Sequence, residues 1–287
     1  MVSFVLALGV LAACGSPALR EEMARLAAPA GGRVGAAALR LETGEIASWN
    51  GTSRFPMQSV YKLPIGMAVL AEVDAGRLGL EQRVRIDRRD MVPSGARSRI
   101  RDEHPGGIEL SLREILRASV SDSDGTACDV LLRLVPADRV AAYLRGLGER
   151  DIVVATSEKA MSTGPRVQYR NWATPEAAVR LLRILHEGRG VSPAGRRLLI
   201  DWMTETDTGP RRIKGLLPQG AAVAHKTGTS GTADGLTRTT NDIGIVTLPD
   251  GGHLAVAVFV SDSKATEETR EGVIAKIARA AFDCQAQ

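Results

Sequence analysis

Phe55-Pro56-Met57-Gln58-Ser59-Val60-Tyr61-Lys62-Leu63-Pro64 sets a serine and a lysine three residues apart at the mouth of an apolar run. On a helix that spacing is close to one turn, so the two side chains share a face. Behind them Leu63, Ile65, Met67, Ala68, Val69 and Leu70 are apolar on all sides, the pattern of a helix buried in a core. A serine in the first turn of such a helix meets free backbone N–H groups and the positive end of the helix dipole. Both favour a developing oxyanion. A lysine one turn on can take the serine proton if its own pKa is depressed. S-x-x-K is a common pattern, and taken alone it also fits a chance Ser and Lys on a core helix.

Upstream, residues 17–28 place Leu19, Met23, Leu26 and Ala27 on one helical side, and Gly31-Gly32 ends the run. Residues 34–41 read as a strand, turned by Thr43-Gly44 into a second strand over 45–49. The serine helix continues to about Asp74 and stops near Gly76. Residues 110–120 read as an amphipathic helix, Ser123-Asp124 caps the next one through Leu134, and 136–146 form another. Residues 149–173 have no clear period and read as a long loop, of the kind that carries function inside compact domains. Thr174-Pro175-Glu176 is a capping threonine with proline at the first helical position, opening a helix to about His186. A helix over 192–204 follows, then strands over 222–226, 242–248 and 253–260, and a last helix from a Ser263 cap through Phe282.

Strands therefore lie at both ends of the chain and helices in the middle. This predicts an α/β (α+β) fold: one mixed antiparallel sheet flanked by N- and C-terminal helices, with an inserted all-helical domain. Residues 17–54 and 205–287 would form the α/β domain and 55–204 the helical one, with a site in the cleft between them.

The composition is that of an ordinary globular protein: 287 residues, 44% hydrophobic and 24% charged. A net charge of +4 without a basic run, and only 3% aromatic residues, argue against nucleic acid as a partner. Residues 1–13 are nearly all apolar or small, too few to span a bilayer but enough for the apolar part of an export signal. Leu11-Ala12-Ala13-Cys14 before Gly15-Ser16 resembles a bacterial lipobox, making residues 1–16 a leader and Cys14 a candidate for acylation and membrane anchoring. Cys128 sits in an apolar helical run and reads as a buried free thiol. The four histidines (His104, His186, His225, His253) are scattered and no Cys/His cluster has ligand spacing, so no metal site is expected.

Three more stretches give the serine a context. Ser123-Asp124-Gly125 puts a hydroxyl on a helix-opening turn, able to pass a proton to a leaving nitrogen, although a plain helix cap reads the same. His225-Lys226-Thr227-Gly228-Thr229-Ser230-Gly231 lies on an edge-type strand. Lys226 supplies a cation for a substrate carboxylate, Thr227 and Thr229 supply hydroxyls, and Gly228 leaves room for a ligand along the strand. The backbone N–H groups of Ser59 and Thr229 are the oxyanion-hole candidates. Glu158 stands in the irregular stretch Ala155-Thr156-Ser157-Glu158-Lys159-Ala160-Met161, and by itself reads as a surface glutamate.

In this order, with about 64 residues from Ser59 to Ser123, 35 to Glu158 and 68 more to Lys226, the set resembles that of class A serine β-lactamases. Val167-Gln168-Tyr169-Arg170-Asn171-Trp172, Asn241-Asp242-Ile243-Gly244 and Val258-Phe259-Val260-Ser261-Asp262-Ser263 resemble the PER-type extended-spectrum branch. The resemblance implies an enzyme without cofactor, a monomer, acting on penicillins and cephalosporins. It implies Ser59 as nucleophile and Lys62, or Glu158 through a water, as its base. Ser123 would protonate the lactam nitrogen and Glu158 would activate the deacylating water. Lys226, Thr227, Gly228, Thr229 and Ser230 would hold the substrate, backed by Arg212 or its neighbour Arg211.

Four departures from the family pattern bear on substrate range or rate. Gly125 stands where most members have a substrate-binding asparagine, a loss of about 1–2 kcal/mol for one hydrogen bond. Ser162 stands where an asparagine usually helps position the hydrolytic water. Thr156 and Asn171 replace an Arg–Asp pair that braces the Glu158 loop. Val92-Pro93-Ser94-Gly95-Ala96 lacks the aromatic common at the cleft rim. A penicillin-binding D,D-peptidase or acylated sensor shares Ser59, Lys62, Ser123 and Lys226-Thr227-Gly228 but lacks a deacylating glutamate.

Overall fold

The computed structural model describes residues 16–286; residues 1–15 of the expected leader, Cys14 among them, lie outside them. Helix α1 (Ser16–Ala27) buries Leu19, Met23 and Ala27. Strands β1 (Arg33–Arg40) and β2 (Ile46–Trp49) form the expected hairpin, with Leu39 opposite Ile46. Strand β3 (Phe55–Pro56) leads into α2 (Lys62–Asp74), in which every residue from Lys62 to Leu70 is buried. Strands β4 (Arg83–Ile86) and β5 (Ile108–Ser111) pair around the short α3 (Arg99–Glu103). Four helices follow, namely α4 (Leu112–Val120), α5 (Gly125–Leu134), α6 (Ala137–Gly146) and the short α7 (Glu158–Met161). Strands β6 (Ile152–Val153) and β7 (Trp172–Ala173) flank α7 and join β3 in a small sheet. After α8 (Pro175–His186) and α9 (Pro193–Glu205) come β8 (Val223–Thr229), β9 (Thr232–Ala233), β10 (Leu236–Thr237), β11 (Thr240–Thr247), β12 (His253–Ser261) and α10 (Glu267–Gln285).

The main sheet has the order β2-β1-β12-β11-β8, with neighbours antiparallel, so the two ends of the chain interleave. Its strands read as unbroken apolar runs because both faces are covered. Along β12, Leu254, Val256, Val258 and Val260 pack beneath α1 and α10, while Ala255, Ala257 and Phe259 face the helices of the middle of the chain. Cys128 is a buried free thiol, as its setting predicts.

Several sequence boundaries shift. Ser59 sits in a 3₁₀ turn, Gln58–Tyr61, and the α-helix starts only at Lys62. Residues 108–111 are strand, and the helix after them opens on Ser111, whose hydroxyl accepts from Glu114 N while Glu114 reaches back to Ser111 N. The aperiodic 149–173 stretch holds β6, α7 and β7. The last helix is capped by Thr266, whose Oγ1 accepts from Thr269 N; Ser263 lies before the helix, where its hydroxyl accepts from Ala265 N and donates to the Ala30 carbonyl.

Candidate active site

A cavity of about 1030 Å³ opens where the Ser59 turn, the Ser123 turn, the Glu158 loop and β8 converge. Ser59, Lys62, Ser123, Glu158, Ser162, Arg212, Thr227, Thr229 and Ser230 all line it. The turn is pinned from three sides. Met57 N–H donates to Asn171 O at 2.9 Å, and Asn241 Nδ2 donates to Pro56 O at 2.8 Å. Gln58 Nε2 donates to Gln168 Oε1 at 2.8 Å. These bonds hold Gln58 at φ +45°, a left-handed conformation that an L side chain rarely adopts. Strand β8 presses on the same turn: a Cβ added to Gly228 would stand 2.2 Å from Met57 O, so only glycine permits the approach.

Lys62 is 1% exposed; its ammonium donates to two oxygens and pairs with a carboxylate. Nζ lies 2.9 Å from Ser59 Oγ, 2.8 Å from Ser123 O and 2.8 Å from Glu158 Oε1. Burial, the largest single influence, pulls its pKa down, but the Glu158 carboxylate together with Cys128 and Asp124 holds it above the ordinary lysine value. Ser123 is held at φ +61° on the turn before α5. Its carbonyl faces Lys62, and its Oγ accepts from Lys226 Nζ at 3.0 Å. Lys226 is fully buried, and burial first, then the like charge of Lys62, push its pKa well below the ordinary value. Its amine meets Ser123 Oγ and Thr227 O beneath the cavity wall.

The Glu158 loop hangs on two side chains. Asp129, one turn into α5, accepts from Glu158 N at 2.7 Å and Lys159 N at 3.0 Å. Asn171 accepts from Ala155 N and Thr156 N through Oδ1 and donates to Thr156 O through Nδ2. A neutral amide thus braces the loop that lacks the Arg–Asp pair. Ser162 Oγ donates to the Glu158 carbonyl at 3.0 Å, so its hydroxyl hydrogen points into the loop's own backbone. Gln168 ties the loop across the cleft, its Oε1 also accepting from Thr239 Oγ1 at 2.8 Å.

On the β8 side both arginines line the cavity but differ in burial and partners. Arg212 is 4% exposed and donates to Thr229 Oγ1 at 2.8 Å and Asn241 O at 2.9 Å, with Glu271 Oε1 at 3.1 Å behind it. Arg211 is exposed at the rim of the cavity and pairs with the far oxygen of Glu271 at 2.7 Å and, at 3.9 Å, with Glu267. Thr227 Oγ1 donates to Thr208 Oγ1 at 2.8 Å, and Ser230 Oγ accepts from Thr239 N at 3.0 Å. Gly125 is not on the cavity wall. It is buried at the start of α5, its N–H donates to Arg97 O at 2.8 Å, and a Cβ there would stand 3.1 Å from that oxygen.

Sequence reasoning gave no role to Asp129, Gln168, Thr208 or Glu271. Nothing local marks them, since each acts on a segment distant in the chain.

Residues 18–285 match the β-lactamase enzyme family. The chain is 39% identical over 269 residues to the extended-spectrum β-lactamase PER-1 of Pseudomonas aeruginosa, covering 93% of this chain and 87% of that one. It is 40% identical over 250 residues to β-lactamase VEB-1 of the same organism, covering 86% and 83%. Among solved structures, a β-lactamase from Chitinophaga pinensis superimposes with a TM-score of 0.91 at 46% identity, covering 93% of this chain and 99% of that one. The TLA-1 extended-spectrum β-lactamase does so with a TM-score of 0.92 at 38% identity, covering 95% and 100%. With a serine and a buried lysine at its centre and relatives of this kind along nearly its whole length, the chain belongs to the β-lactamase enzyme family, as a class A member related to the PER-type branch.

Proposed function

We propose that the protein hydrolyses the β-lactam amide of penicillins and cephalosporins through an acyl-enzyme on Ser59, with the roles divided as follows. The observation that carries this is the three-way contact of Lys62 Nζ with Ser59 Oγ, Ser123 O and Glu158 Oε1. Lys62 held as an ammonium has no lone pair to offer. The geometry therefore favours Glu158, reaching Ser59 through a water, as the first proton acceptor. Ser59 Oγ bonds to the lactam carbonyl carbon, and the backbone N–H groups of Ser59 and Thr229 receive the oxyanion. The C–N bond then breaks as Ser123, backed by the depressed-pKa Lys226, delivers a proton to the nitrogen, and the proton Glu158 took from Ser59 refills Ser123, leaving Glu158 a carboxylate again. Glu158 next draws a proton from a water that attacks the ester, releasing the opened product and restoring Ser59.

Arg212, Thr227, Thr229 and Ser230 offer the substrate carboxylate a cation and three hydroxyls on one wall of the cavity. The extended-spectrum names of PER-1 and TLA-1 support extended-spectrum cephalosporins as substrates. Export follows from the reading of residues 1–16, with Cys14 as the anchor if acylated. No helix among the described residues is long and apolar enough to cross a membrane.

The test is turnover of a chromogenic cephalosporin by wild type, Glu158→Ala and Ser59→Ala. Sustained turnover, a one-equivalent burst and no reaction, respectively, are expected. A one-equivalent burst from wild type itself would make the protein an acylated sensor or peptidase, with the inward-turned Ser162 hydroxyl the first suspect.

A further inference from the structure

Two histidines that are far apart in the sequence meet at the end of the sheet away from the cavity. His186 is the last residue of α8, His253 the first of β12, and Glu42 lies in the turn after β1. One ligand atom from each lies within 4.8 Å of the other two. His253 Nδ1 is 3.0 Å from Glu42 Oε1, and the two imidazoles stand 4.3 Å apart, tilted by 46°. The carboxylate is oriented before any ligand arrives. His253 N–H donates to both its oxygens at 3.0 Å, and Arg40 Nε donates to Oε2 at 3.0 Å.

We propose that Glu42, His186 and His253 form a divalent transition-metal site, fitted to Zn²⁺, that clips the end of α8 to the sheet. Two imidazole nitrogens and one carboxylate oxygen are the donor set zinc takes with a fourth position left to water, and a poor one for magnesium or calcium. Ligand atoms on a tetrahedral zinc stand about 3.3 Å apart, so the pocket needs to close by about 1.5 Å at most. His186 and His253 are only half-buried and free to make that movement. The C-terminal end of α8 favours a cation beside His186. The Arg40 contact to Glu42 Oε2 leaves Oε1 facing His253 and plays the outer supporting part that metal carboxylates usually have.

The site joins residues 42, 186 and 253, so it closes two long loops of chain at once. It is remote from catalysis: β11 runs from Thr240, paired with Thr229 at the cavity, to Thr247, paired with His253, about 23 Å away at strand rise. A bound ion therefore acts on stability and not on turnover.

Tag-free, chelator-treated protein is titrated with Zn²⁺ by calorimetry, and its Tm is read with and without the ion. One equivalent per chain is expected, with Tm rising by roughly 5 °C at a hundredfold excess over Kd. Glu42→Gln, His186→Gln and His253→Gln should each weaken binding at least about tenfold and abolish the Tm shift. Their cephalosporin turnover and far-UV circular dichroism, unchanged without metal, exclude a folding defect. Co²⁺ gives an independent reading, since a four-coordinate site produces intense visible bands that the variants should lose. Absence of Zn²⁺ uptake by wild type, or undiminished uptake by all three variants, overturns the site.

Discussion

Lys62 and Lys226 are both fully buried, and their surroundings drive them in opposite directions. Lys62 has Glu158 beside it and its pKa is raised; Lys226 has only hydroxyl and carbonyl partners and its pKa is lowered. Linkage gives the two residues opposite signs in stability. Stability from Lys62 is present below its unfolded value of 10.5 and is lost as pH rises through the higher folded pKa. Lys226 binds fewer protons folded than unfolded, so it penalises the fold at low pH. That penalty is relieved as pH rises from its folded pKa toward 10.5. Lys226→Met should therefore be more stable than wild type in acid, with the advantage shrinking as pH rises through that window in urea unfolding series. The same variant loses the charge-assisted bond to Ser123 Oγ. At about 1.5–3 kcal/mol, that is about a 10- to 150-fold fall in kcat/KM. A stability difference that does not change with pH would mean Lys226 titrates as if exposed.

Among the elements, β8 matters most for the site because it lies on the backbone of the nucleophile turn. Gly228→Ala places a methyl group 2.2 Å from Met57 O, against backbone that Asn241 and Asn171 already fix. Relief requires β8 to lift from the turn, at about 1–3 kcal/mol of stability. The lift also moves Thr229 relative to Ser59, so kcat/KM should fall about 100-fold while the fold survives, as denaturant melts and steady-state kinetics can both read. Wild-type kinetics in this variant would show that the turn and the strand move independently.

The same elements show what a sequence can carry. Helix α2 is legible because its burial is written in its own residues, and Thr174-Pro175 marks the start of α8 because a cap is a local event. Ser59, Lys62, Ser123, Glu158 and Lys226 are legible as a spaced set, and the structure brings them within one constellation of contacts. What fails to show is made at a distance. Leu110 and Ser111 open a helical pattern, yet they pair with Val84 and Arg83 across the α3 excursion. Ser263 looks like a cap, yet its hydroxyl is taken by Ala30 at the other end of the chain. The left-handed Gln58 has no glycine to announce it; Gln168, more than a hundred residues on, holds it in place. His186 and His253 are scattered in sequence and adjacent in space for the same reason.

At the scale of the whole molecule, the main sheet carries a core on each face, and one of these cores crosses into the helices. Ala37, Leu39, Ile243, Ala255, Ala257 and Phe259 from the strands share a continuous buried cluster with Leu63, Met67, Leu116, Leu131 and Leu182 from the helices. Phe259 sits at the crossing, fully buried and stacked on Phe55 at 5.9 Å, just before the nucleophile turn. Whatever destabilises the sheet at this point also removes the support of α2, so the helical layer and the sheet should melt together. Phe259→Ala opens a cavity at the joint and should cost about 3–5 kcal/mol. Trp49 on β2 reports the sheet and Trp202 on α9 the helices, so single-tryptophan versions follow each part separately. Both probes should show one coincident urea transition in wild type, and both should move to lower urea by the same amount in Phe259→Ala. A transition that splits, with Trp49 moving and Trp202 staying, would mean that the helical layer stands on a core of its own and that the cleft is a seam between independently stable halves.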